Sequence, residues 1–195
     1  MPRLGLTHHR VVEQAAEVAD EAGLDRLTLA AVAKRLGISL PGLYKHINSL
    51  DSLKRDLAVL GVRELTAAMS AAAVGRSGHD ALHAMARAYR AYATAHPGRA
   101  AASIRAPTPT DTEHIAVAEA AVAVLLAVLD GYHLGGADAI DAIRLLRVAL
   151  HGFTTLEAAG GFGLPQSVDA TFTRLIDSLD ATFTGWAGPP EQVPE

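Results

Sequence analysis

Hydrogen-bond donors are concentrated in one short stretch near the start of the chain. Ser39, Tyr44, Lys45 and His46 lie between a glycine at position 37 and an asparagine at position 48. Hydroxyl, ammonium and imidazole groups clustered in this way can donate hydrogen bonds to the phosphates and base edges of a nucleic acid. To do so, they must be held together on one exposed surface.

Two short helices joined by a tight turn would provide that surface. The first helix begins after Thr28, a favourable N-cap, and ends at Gly37. Ala33 supplies the small side chain needed where the two helices cross, and Ile38 would pin the turn. Pro41 lies at an early position of the second helix, where its missing N–H costs no hydrogen bond. This arrangement is a helix-turn-helix, whose second helix can enter the major groove of DNA.

Catalysis and metal binding find little support in the rest of the chain. The sequence has no cysteine, no glycine-rich phosphate loop and no G-x-S-x-G elbow. Asp177 and Asp180 form an acid pair on a helix face that is predicted to be solvated. His79 and His83 have the spacing of one helix face but lack further ligands, which predicts two surface histidines. We therefore expect no catalytic residue, no cofactor and no metal site.

The composition predicts an all-α protein. Half of the 195 residues are hydrophobic and 5% are aromatic, alanine and leucine dominate, and β-branched runs are scarce. Residues 1–55 carry eight Lys and Arg against six Asp and Glu, whereas the remaining residues carry nine against fifteen. A mildly basic head on an acidic body suits a protein that offers one face to phosphates.

Apolar periodicity predicts about nine helices in two domains. Residues 1–48 would form a three-helix DNA-binding head, residues 49–188 a larger helical ligand-sensing and dimerisation domain, and residues 189–195 a flexible tail. The later helices are expected over residues 50–73, 77–95, 99–105, 113–132, 138–159 and 167–183. Pro97 and Gly98 are expected to end the fifth helix.

The stretch from Thr28 to Lys54 resembles the helix-turn-helix of the tetracycline-repressor (TetR) family. The resemblance is carried by the runs Leu36-Gly37-Ile38 and Leu43-Tyr44-Lys45-His46, followed by a polar break and a long helix. It covers residues 7–60 by motif and the rest by helix count and order. The run Leu150-His151-Gly152-Phe153 is similar to a Trp-His-Gly-type C-terminal domain of some members, although its tryptophan is absent here.

The resemblance implies a set of DNA contacts. Thr28 would present its hydroxyl and nearby N–H groups to a phosphate. Leu50 stands where the family often has a lysine, which removes one phosphate contact that Lys54 could replace. The implied DNA-binding residues are Thr28, Ser39, Leu40, Pro41, Gly42, Tyr44, Lys45, His46 and Lys54. Three alternatives stay open: Tyr44 as a core aromatic, Lys45 as a solvated lysine, and His46 as a packing residue at the edge of the head.

A ligand pocket and a dimer are expected in the larger domain. An apolar pocket with polar handles could be lined by Tyr89, Tyr92, Arg105, Tyr132, His151 and Phe153, and ordinary core packing is the alternative for each. The ninth helix has a wide apolar stripe from Val168 to Phe183. Together with Ile143, Leu146 and Leu150 of the eighth helix, it would exceed what one chain can cover, which predicts a homodimer through these two helices.

The resemblance implies a ligand-responsive transcriptional regulator in the cytoplasm. It would be a repressor that binds double-stranded palindromic operator DNA as a homodimer and is released by a small apolar or amphipathic effector. We expect no membrane span, because the most apolar stretch, residues 116–129, contains Glu119 and is short. Two alternatives remain: a helical small-molecule carrier or enzyme with a purely structural helix-turn-helix, and a DNA-binding activator or architectural protein without a ligand.

Overall fold

The computed structural model describes residues 6–186, and these form nine α-helices without a β-strand. The helices are α1 His8–Ala22, α2 Leu29–Leu36, α3 Leu40–Leu43, α4 Leu50–Ala73, α5 Gly78–Ala95, α6 Pro97–Ala102, α7 Thr112–Leu129, α8 Gly136–Ala158 and α9 Val168–Trp186. Single 3-10 turns occur at Leu24–Arg26 and Asp130–Tyr132. The prediction of an all-α fold with about nine helices is confirmed. The predicted tail, residues 189–195, lies outside the described residues.

The chain divides into two compact units. The first unit contains the residues up to Leu65 together with Ala95–Ala118, and the second contains Thr66–Thr94 and the residues from Glu119 onward. The long helices α4 and α7 contribute residues to both units. The residues predicted to form the head lie in this first unit, which also includes most of α4, all of α6 and the first turns of α7.

The first unit is built on a continuous apolar core beneath α1, α2 and α3. Val11 of α1, Leu43 of α3 and Leu53 of α4 are fully buried, and Leu27 fills the space under the connection between α1 and α2. Burial of a branched side chain of this size contributes roughly 1.5–3 kcal/mol. Because Leu43 anchors α3 in this core, the polar residues that flank the helix, Ser39, Tyr44 and Lys45, are left exposed.

Helix α6 packs against α1 through a contact that only glycine permits. A Cβ atom on Gly98 would lie 2.3 Å from the backbone oxygen of Ala19. Helix α5 ends at Ala95, as expected, but α6 begins at Pro97 rather than at the predicted residue 99. Proline is favourable at that position because the first N–H groups of a helix have no partner within it.

The second unit is held by aromatic and aliphatic side chains. Phe153 and Phe172 meet with ring centroids 5.0 Å apart, and Tyr132 meets the fully buried Phe183 at 5.8 Å. Edge-to-face pairs of this kind contribute about 0.5–1.5 kcal/mol beyond their buried area.

The expectation that three leucine and isoleucine residues of α8 require a second chain to cover them is wrong. Ile143, Leu146 and Leu150 are buried within one chain. A different face of α8 is apolar and exposed, and it carries Ile140, Leu145, Val148 and Leu156.

Helix α7 is the most apolar helix of the described part. With the turn that follows, it extends from Thr112 to Tyr132, which is longer than the apolar run that the sequence suggested. By length and composition alone this segment could cross a membrane, and 17% of its most apolar window is buried. A single helix of this kind is weak evidence for a membrane span, because core helices of soluble proteins share these features.

Candidate nucleic-acid interface

The start of α2 is capped by Thr28. Its backbone is extended, and its Oγ1 accepts a hydrogen bond from the N–H of Ala31 at 3.1 Å. Thr28 is exposed, and a capping hydroxyl still has its own hydrogen to donate. The N-terminus of α2 therefore offers both N–H groups and a hydroxyl to an anion, as the sequence implied.

The turn between α2 and α3 depends on Gly37. This residue adopts the left-handed conformation, with φ of 66°, which a side chain would strain. Its N–H donates to the carbonyl of Lys34 at 3.1 Å, and that of Ile38 donates to the carbonyl of Ala33 at 3.0 Å. These bonds close the end of α2 and set the direction in which α3 leaves.

Helix α3 and the residues that follow it form the recognition segment, residues 39–46. Ser39 caps it, because its Oγ accepts from the N–H of Gly42 at 3.2 Å. Leu43 is fully buried and anchors the segment to the core. The residues that face outward are Ser39, Leu40, Pro41, Tyr44 and Lys45. Tyr44 is 55% exposed, so the alternative that it is a core aromatic is wrong.

Three further residues of the predicted set border this surface less openly. Gly42 and His46 are half-buried, and the backbone carbonyl of His46 contacts the imidazole of His8 at 2.8 Å. Lys54 is half-buried in the second turn of α4. Leu50, which replaces a lysine common in the family, packs against the core of the first unit. Its side chain is therefore used for stability rather than for a phosphate.

Arg35 fixes α2 against α1, a role that the sequence reading missed. Its guanidinium donates to Glu21 at 2.6 Å, to Glu17 at 2.9 Å and to Gln14 at 3.3 Å. The hydrogen bonds that Arg35 donates to Glu21 and Glu17 raise its pKa. This basic residue of the head therefore stabilises the packing of α2 on α1. Acids that lie 14 and 18 residues earlier, on another helix, give no signal in the sequence.

The six residues predicted to line a ligand pocket do not fall in one unit. Tyr89, Tyr92, Tyr132 and Phe153 are buried and His151 is half-buried, all in the second unit. Arg105 belongs to the first unit, where it donates to both carboxylate oxygens of Asp51 at 2.8 and 3.1 Å.

Three polar residues of the predicted pocket, Tyr89, Tyr132 and His151, have their neutral forms favoured by their surroundings in the second unit. Burial raises the pKa of Tyr89, and burial together with the hydrogen bond to Asp180 raises that of Tyr132. Burial, assisted by Arg147, lowers the pKa of His151. Burial therefore keeps the hydroxyl groups of the two tyrosines and the imidazole of His151 in their uncharged forms more readily than in water.

Only one of the two histidines on α5 lies at the surface, whereas the sequence predicted both there. His83 is buried, and its Nε2 lies 3.1 Å from Asp177, while Nδ1 of His79 lies 3.1 Å from Asp180. The expectation of two surface histidines is therefore wrong for His83. Asp180 is also not a simple surface charge, since it accepts from the hydroxyl of Tyr132. Among residues 6–186, no three His, Asp or Glu side chains are arranged to hold a metal ion.

Two family models match most of the chain. The model described as "Bacterial regulatory proteins, tetR family" matches residues 11–53, and that described as "Tetracyclin repressor-like, C-terminal domain" matches residues 82–179. The first match contains α2, the turn and the recognition segment, and the second extends from α5 into α9.

Proteins of known sequence and structure agree with these matches. An uncharacterized HTH-type transcriptional regulator of Mycobacterium tuberculosis is 37% identical over 90% of this chain and 81% of its own. Another from Bacillus subtilis is 36% identical over 86% of this chain and 87% of its own. A variant of TetR from Acinetobacter baumannii AYE, solved in complex with minocycline, is 22% identical and covers 94% of this chain and 99% of its own, with a TM-score of 0.73. The chain belongs to the TetR family of bacterial regulatory proteins.

Proposed function

We propose that this regulator is a repressor that binds a palindromic operator as a homodimer and is released by a small apolar or amphipathic effector. The observation that carries the DNA-binding part is the outward face of the recognition segment. Leu43 is buried in the core of the first unit, whereas Tyr44 and Lys45 are exposed on the other side of the segment. The relatives are named as regulators, and the proposal assigns the chain no catalytic role. An operator-binding protein acts where the chromosome is, in the cytoplasm.

The proposed dimer uses the exposed apolar face of α8. Ile140, Leu145, Val148 and Leu156 are between 41% and 72% exposed, whereas the opposite face of the same helix is buried within the chain. Contiguous apolar surface of this kind marks an interaction site in a soluble protein. A two-fold dimer would place two recognition segments on successive major grooves, about 34–36 Å apart.

The proposed effector occupies the second unit. Its buried tyrosines and Phe153, with the neutral His151, supply apolar surface and a few hydrogen-bonding groups. A family relative of similar fold binds minocycline. Helix α4 runs without interruption from Leu50 beside the head into the second unit. We infer that effector binding changes the position of α4 and so weakens the operator complex, through a difference in effector affinity between the two states of the dimer.

The DNA-binding part is tested by a pair of lysine variants. Lys45 lies on the recognition segment, and Lys34 is an equally exposed lysine at the far end of α2. Lys45→Ala should weaken binding to a specific duplex by about tenfold or more, since a lost base or phosphate contact costs roughly 1–3 kcal/mol. Lys34→Ala should leave the affinity within about twofold. Equal affinities for the two variants would show that the assigned surface is not the one that contacts DNA.

A further inference from the structure

Three helices of the first unit meet at one guanidinium group. Nη1 of Arg99 on α6 donates a hydrogen bond to Oε2 of Glu64 on α4 at 3.1 Å. Nε of the same side chain lies 3.1 Å from Oδ2 of Asp20 on α1, and the backbone N–H of Arg99 donates to Oδ1 of Asp20 at 3.0 Å. We call Asp20, Glu64 and Arg99 the three-helix cluster, and all three residues belong to the first unit.

The three-helix cluster is largely shielded from water. The side chains of Asp20 and Arg99 are 13% and 16% exposed, and that of Glu64 is 35% exposed. Ion pairs on an open surface contribute little, because water and salt screen them and both side chains stay mobile. A pair that is mostly buried is screened less, and the loss of one member leaves the other without its partner. The cluster therefore holds its three helices in a defined geometry.

Close backbone contacts on both sides of α6 reinforce this geometry. A Cβ atom on Gly98 of α6 would lie 2.5 Å from the backbone nitrogen of Asp20 on α1. A Cβ atom on Gly61 of α4 would lie 2.5 Å from the backbone oxygen of Arg99. Helix α6 thus packs with its backbone directly against α1 on one side and against α4 on the other. The position of α1 on α4 is therefore set through α6.

The head, α1 to α3, is in this way attached to α4 at two separate places. The first is the apolar core, in which Leu53 and Leu57 of α4 are fully buried with Leu43 of α3. The second is the three-helix cluster, where Glu64 lies seven residues beyond Leu57, about 10 Å along the helix axis. A body that is held at two separated points cannot rotate about either one alone.

We propose that Arg99 is a positioning residue for operator binding, which fixes the angle between the head and α4 by joining Asp20 to Glu64. Arg99 does not touch DNA in this proposal, which rests on the dimeric operator-binding function proposed above. When one head is bound, the other reaches its half-site with an effective concentration that depends on the stiffness of the connection. Helix α6, which lies outside the helix-turn-helix, would therefore determine which spacing of half-sites the dimer accepts.

Duplexes that carry either one or two half-sites test this role. Arg99→Gln should weaken binding to the complete palindrome by about tenfold and leave the affinity for a single half-site within about twofold, because each head stays intact. One base pair inserted between the half-sites should weaken binding of wild type more than binding of Arg99→Gln, since loosely held heads accept other spacings. Arg87→Gln, at an exposed arginine of α5 in the second unit, is the matched control and should behave as wild type.

The same duplexes distinguish positioning from stability and from direct contact. A loss of fold stability or of a phosphate contact would weaken binding to the single half-site and to the palindrome alike, and that result would overturn the proposal. An affinity of Arg99→Gln for the palindrome equal to that of wild type would overturn it as well. Neither loss would make the protein more tolerant of an altered spacing.

The two contacts of Arg99 act in series, so their losses should not add. Asp20→Asn opens the connection between α1 and α6, and Glu64→Gln opens the one between α6 and α4. Each variant should weaken binding to the palindrome about as much as Arg99→Gln does, and the double variant should be no more than about twofold weaker than either single one. Independent contacts would give additive losses, and that outcome would overturn the serial connection.

A measurement without DNA separates this proposal from the proposed function. The chain has no cysteine, so Asp25→Cys on the exposed turn after α1 gives one spin label per chain. Double electron–electron resonance then gives the distribution of distances between the two heads of a dimer, which Arg99→Gln should broaden and Arg87→Gln should not. An unchanged width for Arg99→Gln would overturn the positioning role even if the protein binds DNA. A broadened distribution in a chain that binds no duplex would support the attachment through Arg99 and overturn the operator-binding function instead.

Discussion

Each unit of this regulator combines apolar packing with arginine–carboxylate pairs, but every aromatic side chain except Tyr44 lies in the second unit. In the first unit, arginine–carboxylate pairs join separate helices: Arg99 of α6 binds Asp20 of α1 and Glu64 of α4, and Arg55 binds Asp111. In the second unit, helices also meet through rings such as Phe153 and Phe172. The guanidinium of Arg90 lies 5.5 and 4.9 Å from the two ring centres and donates to Glu157 of α8 and Asp169 of α9.

This difference fits the roles proposed for the two units, DNA binding for the first and effector binding for the second. A hydrogen-bonded ion pair has a narrow range of favourable distances and angles, so a network of them fixes the relative positions of its helices. An apolar core tolerates exchanges of similar volume and can provide space for a weakly polar ligand. The aromatic side chains of the second unit are the kind of lining that the proposed effector pocket needs, and the first unit has no comparable aromatic packing among its described residues.

The largest effect is expected where the first unit depends on a close backbone contact. Gly98→Ala would place a Cβ atom 2.3 Å from the carbonyl oxygen of Ala19, and backbone cannot move aside cheaply. We expect the free energy of unfolding to fall by about 3 kcal/mol, measured by urea denaturation. Gly185→Ala in the last turn of α9 is the matched control, because no atom lies within 4 Å of the added Cβ. It should raise stability by about 0.5–1 kcal/mol, and equal losses for both variants would contradict the proposed packing of α6.

A charge on the exposed face of α8 should break the dimer. Val148 is 72% exposed in one chain, and an aspartate there would have to be desolvated at a dimer interface. Val148→Asp should weaken dimerisation by about a hundredfold, measured by analytical ultracentrifugation, and should weaken operator binding with it. Leu164→Asp is the control, since Leu164 is 79% exposed but lies outside α8. If Val148→Asp still dimerises and Leu164→Asp does not, the dimer interface lies at Leu164 and not on the exposed face of α8.

A smaller effect is expected from the ion pair that anchors α7 in the first unit. Hydrogen bonds from Arg55 hold the pKa of Asp111 well below its usual range. The folded state therefore binds this proton less readily than the unfolded chain, so ionised Asp111 stabilises the fold at neutral pH and the contribution is lost as the pH falls below about 4. Asp111→Asn should lower the Tm at about pH 7, and the difference from wild type should shrink in acid.

The exposed aspartate Asp25 provides the control for that experiment, because it lies in the same unit without a contact to Arg55. Asp25→Asn should change the Tm little at any pH. A difference between wild type and Asp111→Asn that stays constant down to about pH 3 would show that the ion pair does not stabilise the first unit.

Local sequence signals predicted the helices and the turn of the motif well. The bounds expected for α4, residues 50–73, are those observed, and Gly37 occupies the left-handed position that the turn requires. Helix ends were harder to place where one residue can serve two purposes. Pro97 could end α5 or begin α6, and the deciding fact is the packing of Gly98 on α1, which periodicity does not reveal.

Side-chain environments could be predicted only where the partner is close in sequence. The cap of α2 is one such case, because Thr28 accepts from the N–H of Ala31, three residues along the chain. In contrast, the ring of His8 meets a carbonyl 38 residues away, and Asp180 meets a histidine 101 residues away. Contacts of that span depend on how helices pack, so neither had a signal in the sequence.

The central claim is that the outward face of the recognition segment reads a palindromic operator as part of a dimer. Selection of bound sequences from a random duplex library, with purified protein at moderate salt, tests it most directly. The account predicts enrichment of a palindrome whose half-sites are about one DNA turn apart, with binding that weakens steeply as salt is raised. The absence of any enriched sequence would contradict the account and would favour a helical small-molecule carrier with a purely structural helix-turn-helix.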